Sequence, residues 1–140
     1  MSSSEAPPRE TILVVDDDVE VLAFVADVLD TEGYAVLRVS DSREALRMAQ
    51  NRSEPINLLL TDVVMPFMAG TDLAVHLRSL RPGIKVLLMS AFTSGTIEDH
   101  GIQIVPGEAL LVKPFTVIYL STKVRTLLAH RSPFSRPTRR

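Results

Sequence analysis

The chain has 140 residues, 46% of them hydrophobic, a formal net charge of −2 and no cysteine. That length buries one substantial core but not two, and the absence of thiols excludes a disulfide framework, a thiolate zinc site and a cysteine nucleophile. The first ten residues lack the apolar stretch of a signal peptide and no later apolar run reaches bilayer length, so a cytoplasmic protein without a membrane span is expected.

Residues 1–9 are polar and proline-containing and read as a disordered N-terminus, with one folded domain expected over residues 10–130. The first apolar run, Ile12 to Val15, leads into Asp16, Asp17 and Asp18. Asp18 is placed to cap a helix whose apolar stripe is Val21, Val25, Val28 and Leu29, and Gly33 is placed to end it. After a second run, Ala35 to Val39, Asp41 with Glu44 three residues on resembles a capping box, opening a helix with Ala45, Leu46 and Ala49 on one side. A third run, Ile56 to Leu60, precedes Asp62, and Leu73, Leu77 and Leu80 mark a third helix. The fourth run, Val86 to Met89, ends in Ser90 and Ala91. Thr93 to Gly107 holds three glycines and a proline without an apolar period, which predicts one short turn of helix and irregular chain. The fifth run, Ala109 to Val112, delivers Lys113, and a final helix over about Thr116 to His130 carries Val117, Leu120, Val124, Leu127 and Leu128. Residues 131–140 hold four arginines and read as a basic tail or linker; without them 11 basic residues face 17 acidic ones, which argues against DNA binding by the folded body.

Short, unalternating apolar runs are strands buried on both faces, and their alternation with helices implies an α/β, doubly wound, five-stranded parallel sheet with helices on both faces. Ligands of such sheets bind beyond the carboxyl ends of the strands. Asp16, Asp17, Asp62, Ser90 and Lys113 all stand there. Carboxylates drawn to one edge raise one another's pKa unless a cation neutralises them, and an oxygen-only donor set suits Mg²⁺, with Mn²⁺ as a substitute. Lys113 and Ser90 could meet phosphoryl oxygens, and a carboxylate beside Mg²⁺ is a competent nucleophile toward phosphorus.

The motifs ILVVDDD at Ile12 to Asp18, LLLTDVVMP at Leu58 to Pro66, LLMSA at Leu87 to Ala91 and VKPF at Val112 to Phe115 together resemble the receiver domain of two-component signalling. The resemblance implies a flavodoxin-like strand order 2-1-3-4-5 and a phosphoacceptor at Asp62. It also implies metal binding by Asp16, Asp17, Asp62 and the backbone carbonyl of Val64. Ser90 and Lys113 would contact the phosphoryl group, Ala91 would leave room for it, and the Lys113–Pro114 bond would be cis. The donor so implied is a sensor histidine kinase or hybrid kinase. The domain would catalyse its own phosphotransfer and slow dephosphorylation without being an enzyme in the ordinary sense. Output would pass to a phosphotransfer or effector protein through the fourth and fifth helices and fifth strand, including Val117, Ile118 and Tyr119. One position departs from the family: receivers carry Tyr or Phe three residues before the lysine, and here Leu110 cannot signal by a ring flip.

MSAFTSGTIEDHG followed by PGEALLVKPFT is further similar to C-terminal receivers of hybrid histidine kinases. A phosphohydrolase of the haloacid dehalogenase type would need carboxylates after the last strand and a covering cap, and no Asp or Glu follows Glu108. The intact acid pair and Asp62 argue against a binding-only pseudo-receiver, and Leu110 is the one feature that favours it. His76, His100 and His130 lack companion ligands and read as surface residues, while Met65, Met68 and Met89 read as packing.

Overall fold

A computed structural model describes residues 9–91 and 108–129. Its elements are β1 (Thr11–Val15), α1 (Val19–Thr31), β2 (Ala35–Val39), α2 (Ser42–Asn51), β3 (Leu58–Asp62), α3 (Gly70–Leu80), β4 (Lys85–Ser90), β5 (Glu108–Val112) and α4 (Val117–Ala129). The helix expected within Thr93 to Gly107, His100, His130 and the basic tail lie outside the described residues. None of the described helices is long and apolar enough to cross a membrane.

The strands form one parallel sheet in the order β2-β1-β3-β4-β5. β1 and β4 are buried along their whole length, whereas β2 and β5 at the edges are mostly half-buried. This explains why the central runs do not alternate. Successive side chains still point to opposite faces. Leu13, Val15, Leu59, Val86 and Leu88 join one core with Ala45, Ala49, Leu73 and Leu77 of α2 and α3. Ile12, Val14, Leu58, Leu60, Leu87 and Met89 join the other with Leu22, Val25 and Leu29 of α1 and Leu120 and Val124 of α4. Eight of the eleven largest fully buried side chains belong to β1, β3 and β4, at about 1.5–3 kcal/mol each, so packing on these strands dominates the stability.

The caps follow the sequence reading with one addition. Asp18 accepts from the backbone of Glu20 and Val21, and α1 ends as expected at Gly33, with φ 102°, where Gly33 and Tyr34 donate to Asp30 and Leu29 carbonyls. At α2, Asp41 caps the helix as expected, accepting the Arg43 N–H, and the Arg43 side chain grips it as well, a contact the sequence reading did not include. The third strand also starts two residues later than the apolar run suggested. Ile56 is buried but outside the ladder, because Asn57 turns both its side-chain oxygen and its backbone N–H onto Thr11 before β3 begins.

Candidate functional site

The parallel register brings the strand ends to one edge. Val15 lies opposite Thr61 and Asp62 opposite Met89, so Asp16, Asp62 and Ser90 leave the sheet side by side. Lys113 follows β5 directly and donates its backbone N–H to the Ser90 carbonyl at 2.7 Å, and its bond to Pro114 is cis. Carboxylate oxygens of Asp16, Asp17 and Asp62 fall within 4.8 Å of one another. Lys113 Nζ reaches into this group, donating to Asp16 Oδ2 and Asp62 Oδ1, each at 3.2 Å.

The three acids are not equivalent. Asp16 is buried, Asp62 half-buried and Asp17 exposed. Asp16 Oδ1 accepts the Asp18 N–H at 2.9 Å, which orients it. Burial pushes the Asp16 carboxyl above its usual range, and the Asp18 N–H and Lys113 offset this only in part. Burial likewise raises the Asp62 carboxyl, with Asp16 and Asp17 adding to the rise and Lys113 opposing it. For Lys113 burial acts downward, yet Asp62 and Asp16 outweigh it and hold the ammonium above its ordinary value. One fixed cation is therefore too little for three carboxylates. An oxygen-only cluster that is partly open and under-neutralised fits a hard divalent cation such as Mg²⁺, which keeps several waters and needs few protein ligands.

The remaining expected residues surround this cluster. Ser90 is buried at the end of β4. Ala91 is exposed and, with Val21, Phe24, Lys113, Pro114 and Phe115, lines an apolar cavity of about 370 Å³ beside the lysine. Val64 lies in the loop after Asp62 and is 59% exposed, outside both cores. His76 is exposed on α3, away from the acids, and Met65, Met68 and Met89 pack against the two cores.

Two supports of the site were not read from the sequence. Thr61 Oγ1 donates to the Asp62 carbonyl at 3.0 Å, and Gly70 donates its N–H to Val63 while pressing its Cα against the Asp62 backbone. The available signal was a glycine at the first position of a helix, where it is a poor helix former.

A family model described as the response regulator receiver domain matches residues 12–125. The chain is 35% identical over 133 residues to the transcriptional regulatory protein PrrA of Mycobacterium tuberculosis, covering 94% of this chain and 54% of that protein. It is 33% identical over 121 residues to the sensor kinase CckA of Brucella abortus, covering 84% and 12%. A crystal structure of a response regulator receiver protein from Sinorhizobium medicae WSM419 matches with a TM-score of 0.78 at 28% identity, over 89% of this chain and 98% of that one. The chain spans about half the length of the transcriptional regulators it matches.

Proposed function

The chain belongs to the response regulator receiver family, and from that premise we propose that Asp62 is its phosphoacceptor, that Asp16, Asp17, Asp62 and the Val64 carbonyl hold Mg²⁺, and that the donor is a histidine kinase. The observation that carries this reading is the convergence of three carboxylates within 4.8 Å with Lys113 Nζ at 3.2 Å from two of them.

In the transfer, an Asp62 carboxylate oxygen attacks phosphorus in line, the new O–P bond forms as the donor's N–P bond breaks, and the imidazole leaves with the electron pair. Mg²⁺ bound by these oxygens supplies charge neutralisation and orientation for the phosphoryl group. Lys113 faces the same oxygens with a fixed positive charge that its carboxylate partners keep protonated. Ser90, at the end of the neighbouring strand, offers a hydroxyl donor, and Ala91 beyond it adds no bulk. Water attack on the acyl phosphate then returns Asp62 to its resting state.

The similarity to both a regulator and a sensor kinase supports a phosphorylation switch or relay module, its donor a kinase on another chain or on the same one. Exposed Val117, Ile118 and Tyr119 on α4 supply an apolar face for a downstream protein. The test is incubation with acetyl phosphate and intact-mass measurement. Wild type should gain one phosphoryl group only with Mg²⁺ present, and Asp62→Asn should gain none; equal gain by Asp62→Asn would defeat the assignment.

A further inference from the structure

Phe67 has φ 73°, a left-handed backbone conformation that suits glycine, yet it is an aromatic residue with 74% of its surface exposed. Burial of its own ring does not hold it there. What the ring meets is Arg43, whose guanidinium carbon lies 3.6 Å from the ring centroid. Arg43 is itself fixed on Asp41, donating from Nε to Oδ1 at 3.2 Å and from Nη2 to Oδ2 at 2.9 Å. Beside it, Ser42 Oγ donates to the Pro66 carbonyl at 3.4 Å. The start of α2 thus grips the 63–69 loop in its middle, while the Gly70 N–H to the Val63 carbonyl, at 2.7 Å, pins its ends together. Between this grip and the acidic cluster lies a cavity of about 40 Å³ bounded by Asp17, Asp41, Met65 and Phe67. Val64 sits in the loop held at these two points.

We propose that Arg43 is a positioning residue for divalent-cation binding: stacked on Phe67, it holds the 63–69 loop in the conformation in which Val64 can serve the cation. This rests on the reading of Asp16, Asp17 and Asp62 as the Mg²⁺ site. A mere charge effect has the opposite sign. A cation near an acidic cluster repels Mg²⁺, so removing it for charge reasons alone strengthens binding, whereas removing a clamp weakens it.

Calorimetric Mg²⁺ titration of the full chain separates the two. Arg43→Gln should weaken Mg²⁺ about fivefold, the scale of one exposed cation–π contact, while the lost pair with Asp41 lowers the unfolding midpoint modestly and leaves the metal-free protein folded at the titration temperature. In a Phe67→Gly background, where the ring is gone and the left-handed conformation is unstrained, adding Arg43→Gln should cause no further loss. Unchanged or tighter binding by Arg43→Gln, or an equal loss in the Phe67→Gly background, overturns the clamp alone. Equal Mg²⁺ affinity of wild type and Asp17→Asn overturns the metal reading and the clamp with it.

Discussion

An ideal Cβ at position 70 would stand 2.0 Å from the Asp62 backbone oxygen and 3.1 Å from Thr61 Cγ2, so no side chain fits without moving the strand end that carries Asp62. Gly70→Ala should therefore destabilise the fold by about 2–3 kcal/mol, the upper range for overpacking, and slow phosphorylation of Asp62; urea unfolding measures the first, and a midpoint equal to wild type would contradict it. At Asp41 the Arg43 side chain and backbone N–H hold the carboxyl at about 2, below its usual range. Because that folded-state value lies below the unfolded one, the contribution to stability is present above about pH 4 and is lost as pH falls through about 2. A carboxyl-detected NMR titration should place the Asp41 midpoint near 2, and Arg43→Gln should bring it back toward the ordinary aspartate value. The residues proposed to react were legible because each stands at the end of an apolar run, with Thr61 alone intervening before Asp62. Gly70, Arg43 and Phe67 were not, because what demands them is close approach between segments rather than any local pattern.

Helix α3 begins at Gly70 with Ala69 in the capping position and no side chain accepting from its first turn, whereas α1 and α2 have Asp18 and Asp41. Ala69→Asp should supply the missing acceptor and stabilise the protein by about 1 kcal/mol, read as a rise in the thermal midpoint; no change or a fall would show that the backbone at 69 cannot present a cap. The first two helices were readable because their caps are written in Asp and their apolar stripes are regular. The third was placed from Leu73, Leu77 and Leu80, and of these Leu80 is exposed at its last turn. The end of α2 was not readable either. It depends on Arg81 from beyond α3, whose Nη atoms donate to the carbonyls of Ala49, Arg52 and Glu54.

Across the whole molecule, the doubly wound sheet follows from five apolar runs alternating with helices, and its strand order places β1 and β3 adjacent so that their acidic ends meet. Leu110, on edge strand β5, packs against the core shared with α2 and α3 and lies two residues from Glu108, which pairs with Arg78 at 2.8 Å. A leucine anchored in that core offers no ring to swing between two positions. On adding beryllofluoride and Mg²⁺, amide shifts should be large at Asp16 to Asp18, Asp62 to Val64 and Lys113 in the site itself, and small at Glu108 to Leu111 and Thr116 to Leu120; large changes along those last two stretches would show a switch transmitted without an aromatic residue. The assignment of Asp62 itself is tested most directly by borohydride reduction after treatment with acetyl phosphate and Mg²⁺, since reduction turns an aspartyl phosphate into homoserine that peptide mass spectrometry can locate. Homoserine at position 62 is the result expected. Homoserine at Asp16 or Asp17, or at none of the three, would contradict it.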